Sequence, residues 1–385
     1  KNIMSDFVFR MSPNVIMGSY TTSRLAQLCR EWGTRYLVIM DPILSEVNLS
    51  EKIIQNLNER KIENFTFSDF SDGCSTKTLQ RALTLAKEGH IHGIICVGGM
   101  KALHIGRLVS ALFNEVHDMY NFIDGAVPNT SALPCICVPT TFRSPFVFTS
   151  ECPIIDSRNN QLKLVHVQNN IVKLLLEDPN MMLTLTENQR ASMMLEVLCM
   201  SVEAYISQKE NFFSDMFVEK AVELLGYAMD GANSLEITTP QEILLAQGGI
   251  MTSIANGSSS LGVASLLSMT INARYKVSKS LISTILFPYI IEDAIQFKAE
   301  RLAKLAKIMR IATEEMSNEE AARALADNVR QRIAQANLPA RLKDLQLSVE
   351  QLALACEDAG QIEIVNKLPR SMTADDLFDL VKLAF

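Results

Sequence analysis

The chain has 385 residues, enough for two domains of roughly 150–200 residues each. Apolar residues make up 48% and charged residues 21%, the balance of a globular protein and not of a disordered one. Forty-three acidic against 36 basic residues give a net charge of −7, and no Lys/Arg-rich stripe interrupts the chain, which disfavours a nucleic-acid reader. No apolar stretch approaches the roughly 20 residues that span a bilayer. Lys1–Arg10 has no signal-type apolar core, so a cytoplasmic location is expected. Glycine is scarce, at 16 residues.

In chain order, the amphipathic segment Thr22–Trp32 stops at Gly33, and the apolar run Tyr36-Leu-Val-Ile-Met40 ends in Asp41-Pro42. Ile53–Glu59 reads as a helix, Phe65–Phe67 as a short strand and Thr76–Glu88 as a second helix. Gly93-Ile-Ile-Cys-Val97 reads as a strand, about Ala102–Asn114 as a helix and Cys135–Val138 as a strand. Strands alternating with helical patterns of about 10–15 residues mark βαβ units and a parallel sheet, whose ligands bind beyond the carboxyl ends of the strands. From Asp178-Pro179 onward the texture changes. Capping-box patterns at Thr186…Gln189, Thr239…Glu242 (with Pro240 between), Ser317…Glu320 and Ser348…Gln351 open long helical stretches. The expected architecture is an α/β Rossmann-like domain with a parallel sheet over residues 1–177 and an all-α domain over residues 178–385.

The eight cysteines are Cys29, Cys74, Cys96, Cys135, Cys137, Cys152, Cys199 and Cys356, with no CxxC pair. Cys135 and Cys137 stand two residues apart on one strand and so share a face. A metal or redox pair is conceivable there, but small apolar core residues in a reducing compartment are the expectation.

Val97-Gly98-Gly99-Met100-Lys101 sits where strand gives way to helix. Two glycines let a backbone approach a phosphate, and a helix N-terminus offers free N–H groups and a positive dipole end. The segment matches neither the P-loop pattern nor GxGxxG. Lys101 opposes the dipole unless an anion is nearby; the alternative is a tight turn with a solvated lysine.

Taken together, these segments resemble the iron-containing (group III) alcohol dehydrogenases, relatives of glycerol dehydrogenase and dehydroquinate synthase. Leu37-Val-Ile-Met-Asp41 resembles the family's first strand, ending in the aspartate that meets the adenosine ribose. Gly98-Gly99-Met100-Lys101-Ala-Leu-His104-Ile-Gly106-Arg107 aligns with GGGSxxDxAK, and Pro139-Thr140-Thr141-Phe142-Arg143-Ser144-Pro145 with PTTxGTGSE. Asp178-Pro179…Leu183-Thr184-Leu185-Thr186 resembles DPxLtltlP, Glu203-Ala204-Tyr205 the EAY motif, and Leu286-Phe287-Pro288-Tyr289 the LLPY motif. The tail Asn366…Pro369-Arg370…Thr373-Ala-Asp-Asp376 resembles NPRxxTxED. The resemblance implies NAD(P)-dependent alcohol or aldehyde oxidation and reduction, a cleft between the two domains, and usually a homodimer. It places Asp41, Gly98, Gly99, Met100, Lys101, Thr140, Thr141, Ser144 and Lys163 at the cofactor. Asp41 favours NAD over NADP, because a carboxylate repels a 2′-phosphate.

The departures fall on the metal. The family's four ligand positions hold Glu196, Met200, Ser265 and Lys279, and Met269 stands at a further histidine position. All five histidines (His90, His92, His104, His117, His166) precede residue 178, so the helical half cannot supply a histidine ligand set, and one carboxylate does not make a divalent site. No iron or zinc is expected. Met100 replaces a glycine of the phosphate loop, Lys101 its serine and His104 its aspartate, and Arg143 and Pro145 replace glycines of the second loop. Lys279 and Glu196 are the candidate catalytic pair, an ammonium where the metal cation would sit and a carboxylate to pair with it or relay a proton. A Glu/Lys pair with methionine filling is also what a decayed metal site leaves, and that is the stronger expectation. Glu203 is expected to be a structural helix residue and His104 a solvated surface residue. Two functions follow, a metal-independent or much weakened oxidoreductase and a catalytically silent relative kept for binding, regulation or assembly.

Overall fold

Tyr36–Met40 and Gly93–Val97 are apolar at successive positions, which suits strands covered on both faces. The computed structural model describes residues 7–230 and 239–385 (of residues 183 and 184 the backbone alone) and puts both runs inside one parallel sheet. In the first half the elements are β1 (Asn14–Met17), α1 (Leu25–Cys29), β2 (Arg35–Met40), α2 (Ile43–Glu46), α3 (Leu49–Glu59), β3 (Glu63–Phe67), α4 (Thr76–Glu88), β4 (Gly93–Gly98), α5 (Met100–Leu112), α6 (Met119–Ile123), β5 (Cys135–Pro139), β6 (Glu151–Asp156), β7 (Gln161–His166) and β8 (Val172–Glu177). The six-stranded sheet runs β1-β8-β5-β4-β2-β3, all parallel, while β6 and β7 form an antiparallel hairpin. The Rossmann-like expectation holds. The residues alone had not revealed β1, β8 or the hairpin.

Alternation along the strands divides the core. Val38, Met40, Ile95, Val97, Ile136, Val138, Leu174 and Leu176 pack with Leu25, Leu44, Ile53 and Leu57 on one face. The intervening residues Ile94, Cys96, Cys135 and Cys137 face the other side, where a Cβ on Gly106 of α5 would meet both Cys96 and Ile94. Every residue of α5 from Ala102 to Leu112 is buried. The hairpin covers the rest of this helix: Arg107 donates to the carbonyls of Glu151 (3.0 Å) and Thr149 (2.8 Å), and the Cys152 thiol to the His104 carbonyl at 3.4 Å. His104 is therefore a core residue, only 4% exposed, and the expectation of a solvated histidine is corrected. A second layer laid over a helix by a later segment leaves no periodic trace in the helix itself.

The second half is helical: α7 (Glu187–Ile206), α8 (Phe212–Asp230), α9 (Gln241–Ser258), α10 (Val263–Tyr275), α11 (Lys279–Ile308), α12 (Asn318–Gln335), α13 (Val349–Gly360) and α14 (Ala374–Leu383). Reciprocal capping boxes form at Thr186/Gln189, Ser317/Glu320 and Ser348/Gln351, with a further one at Thr373/Asp376. The box expected at Thr239/Glu242 does not form. The Pro240 carbonyl already accepts from the Ile243 and Leu244 amides (3.1 and 3.2 Å), so Pro240 is the N-cap and Thr239 stands one residue too early. Among the described residues one helix, Lys279–Ile308, is long and apolar enough to cross a membrane, but 61% of its apolar window is buried inside the protein, as in a core helix.

The chain forms two compact units, Ser12–Arg190 and Ala191–Phe385, with residues 7–11 joining the second. Asp178 belongs with the sheet: its carboxylate accepts from the Tyr20 and Thr22 amides (3.1 and 3.2 Å) and from the Thr22 hydroxyl (2.8 Å). Phe9 stacks on Phe213 of α8 with ring centroids 4.5 Å apart, which ties the first described residues to the helical unit.

Candidate active site

In the sheet unit the carboxyl ends of β2, β4 and β5 meet. The Asp41 amide donates to the Val97 carbonyl at 2.9 Å and the Thr140 amide to the Gly98 carbonyl at 3.0 Å. Gly98 has φ +153, a region that favours glycine, and a Cβ there would stand 2.7 Å from the Asp41 Cβ and 2.9 Å from the Ala102 Cβ. Gly99 is the N-cap of α5 and has no side chain to cap with; a Cβ on it would meet Thr141 Cγ2 at 3.4 Å and Asp41 Oδ2 at 3.9 Å. Seven of the expected cofactor residues, Asp41, Gly98, Gly99, Met100, Lys101, Thr140 and Thr141, thus lie on adjoining segments around one helix N-terminus. The first-turn amides of α5 and its positive dipole end supply an anion site.

Within this group the side chains differ in posture. Asp41 orders its own turn, with Oδ1 accepting from the Ile43 amide at 3.3 Å. Lys101 is exposed, with Nζ 5.7 Å from the centroid of the Phe70 ring, a cation–π contact the linear sequence did not signal. Thr140 is buried, and Thr141 donates to the Arg143 carbonyl at 3.3 Å. Arg143 and Ser144 are buried as well, and burial lowers the Arg143 guanidinium to about 10. Pro145–Phe148 forms a 3-10 turn whose Phe146 ring stands edge-on to His104, centroids 5.6 Å apart. The Arg143–Val147 segment is thus buried and packed.

Lys163 stands on β7 of the hairpin. It pairs across the hairpin with Ile154, and its charge helps hold Asp124 and Asp156 ionised. Burial alone would raise the Asp156 carboxyl, but the bonds from Arg158 outweigh burial and hold it below the ordinary range.

In the helical unit, Glu196, Met200 and Glu203 are spaced i, i+4 and i+7 on α7, and all three are buried. Ser265 and Met269 are buried on α10, while Lys279 opens α11 half-buried. Ser265, at the third ligand position, is engaged by Glu203: its hydroxyl donates to Glu203 Oε1 at 2.7 Å and its amide to Oε2 at 3.3 Å. Burial raises the Glu203 carboxyl to about 7 against these bonds. Gly262 makes the approach possible, since a Cβ there would lie 2.5 Å from Glu203 Oε2. This buried acid, expected to be a structural helix residue, is brought close to neutrality by its burial. A carboxyl, a thioether, a hydroxyl held by another carboxylate and an ammonium are not a donor set for iron.

Two family models match the chain: "Iron-containing alcohol dehydrogenase" over residues 12–179, and "Fe-containing alcohol dehydrogenase family, C-terminal" over residues 190–385. The 1,3-propanediol dehydrogenase of Citrobacter freundii is 20% identical over 377 residues, 97% of each chain. Among solved structures, a 1,3-propanediol oxidoreductase superposes with a TM-score of 0.91 at 19% identity, covering 99% of this chain and 100% of that one. The NADH-dependent butanol dehydrogenase A of Thermotoga maritima superposes with a TM-score of 0.85 at 16% identity, covering 99% of both chains. At these identities the structural likeness concerns the fold.

Proposed function

The chain belongs to the iron-containing alcohol dehydrogenase family, and from that premise we propose that it is an NAD-linked alcohol or aldehyde oxidoreductase that works without the family's metal. The observation that carries the dinucleotide part is the meeting of Asp41, Gly98, Gly99 and Thr141 at the start of α5. The glycine turn and the first-turn amides would hold the pyrophosphate, and Asp41 the adenosine ribose, disfavouring a 2′-phosphate. A bound nicotinamide dinucleotide would supply the hydride acceptor or donor.

Alcohol oxidation also requires that the hydroxyl proton leave, which the family's metal assists by Lewis acidity. Glu196, Met200, Ser265 and Lys279 do not fit that metal. We assign proton handling to Lys279, with Glu196 as its partner, because an ammonium at a former cation position can stabilise a developing alkoxide. The substrate class is a small alcohol or aldehyde, the assembly a homodimer and the location the cytoplasm. All three rest on the family and the sequence.

The second reading, a catalytically silent relative, is favoured by the simultaneous changes at Met200, Ser265 and Lys279 and by the buried Arg143–Pro145 loop. Calorimetric titration of the metal-analysed protein with NAD, NADH, NADP and NADPH separates the two. Micromolar binding of NAD or NADH, followed by turnover unaffected by added iron, supports the oxidoreductase. Absence of binding at millimolar dinucleotide overturns it and leaves the silent reading.

A further inference from the structure

Cys96 on β4 and Cys135 and Cys137 on β5 bring three thiols together inside the sheet unit. Cys96 is in register with Cys137, so their side chains leave the same face of adjacent strands, and Cys135 is two residues along that face. The Cys96 and Cys135 sulfurs are 3.5 Å apart and those of Cys135 and Cys137 are 4.0 Å apart. All three sulfurs lie within 4.8 Å of one another, and none of the three residues is exposed to solvent. Metal–thiolate bonds of about 2.3 Å at tetrahedral angles put neighbouring sulfurs about 3.8 Å apart, the scale of these separations.

The surroundings are shaped for more than packing. Helix α5 crosses the cluster with Gly106, where a Cβ would come within 1.8 Å of the Cys96 sulfur, and with Ser110 one turn later. The Ser110 hydroxyl is buried without a hydrogen-bond partner among the described residues, and it bears on the Cys135 thiol. Arg107, on the same helix, is 1% exposed. Its guanidinium bonds to the Thr149 and Glu151 carbonyls, its Nε is unsatisfied, and no carboxylate forms an ion pair with it among the described residues. Its positive charge acts on Cys135, Cys137 and Cys152. A buried cation without a counter-ion is costly, and thiolates within its field would balance it.

We propose that Cys96, Cys135 and Cys137 form a buried thiolate site for a thiophilic divalent cation of the zinc class, with the Ser110 hydroxyl as the adjacent fourth donor. Charge selects the class: three thiolates and one guanidinium sum to −2, which a divalent ion neutralises. Each thiol that binds releases its proton to solvent, so uptake is pH-dependent. The positions that the resemblance assigns to iron lie in the helical unit; a zinc-class ion in the sheet unit departs from the sequence expectation of no iron or zinc.

The site is closed, so loading is tested during folding. The full chain, reduced and unfolded in denaturant, is refolded with Zn2+ or with Co2+ and freed of unbound metal by gel filtration. We expect one ion per chain, cobalt spectra with thiolate charge-transfer bands and the strong d–d absorption of tetrahedral coordination, and an unfolding transition raised by metal. Cys135→Ser should lower the retained metal at least tenfold, while Cys356→Ser, altered in the helical unit, retains it. Should Cys135→Ser fail to refold, Cys96→Ala, which removes a ligand thiol next to the close approach of Gly106, carries the same test. No retained metal in the unaltered chain, or equal retention in the variant, overturns the site.

Discussion

The Ser265 hydroxyl donates to the Glu203 carboxylate at 2.7 Å, and the Ser265 amide to its other oxygen at 3.3 Å. Ser265 is therefore committed to Glu203 on a neighbouring helix. Glu203, buried beneath Gly262, is left as a titratable group with a pKa of about 7.

That raised value has a definite consequence for stability. Because burial raises the folded pKa above the ordinary 4.5, the contribution of Glu203 is fully present below about pH 4.5 and is lost as pH rises through about 7. Urea unfolding from pH 4.5 to 8 should show this decline, superimposed on the titration of other groups, and Glu203→Gln should flatten it. An identical pH dependence in the variant would show that Glu203 is not the source.

Gly98 tests the cofactor turn. Its alanine variant places a Cβ against the Asp41 and Ala102 Cβ atoms at a φ of +153, and neither neighbour is a flexible chain end. We expect a loss of about 1–3 kcal/mol in stability and at least a tenfold loss of NAD affinity by calorimetry. Asp41→Ala should keep the fold and narrow the preference for NAD over NADP.

Gly106 sets two effects against each other. Replacing a helix-interior glycine with alanine ordinarily gains about 1 kcal/mol. Here the new Cβ would overlap the Cys96 sulfur at 1.8 Å, and overpacking of a closed core costs about 1–3 kcal/mol. Crowding should win, so Gly106→Ala destabilises the chain in urea. In the background of Cys96→Ala the same substitution should stabilise it, a sign reversal that a double-mutant cycle reads directly.

Lys279 tests the proposed chemistry. If it handles the proton, Lys279→Met should lower kcat by about 10²–10⁴-fold with little change in NAD affinity, since the cofactor residues belong to the sheet unit. Unchanged turnover would remove Lys279 from the mechanism. Activity that requires added iron would remove the metal-independent reading altogether.

The local patterns were legible because they are short-range. The apolar run of β4 followed by Gly98-Gly99 marked a strand, a tight turn and a helix start, and three of the four capping boxes close as their spacing implies. The missing histidines in the second half are a matter of composition and needed no structure. What the tertiary structure decided is who covers whom. His104 is buried because a hairpin from residues 151–166 lies over α5, Lys101 meets Phe70 from another βα connection, and Ser265 is taken by Glu203 from 62 residues away. Cys96 joins Cys135 and Cys137 only because β4 and β5 are neighbours in register. Periodicity fixes which face of an element is apolar, but contacts between distant segments depend on sheet order and helix packing, which no local pattern encodes.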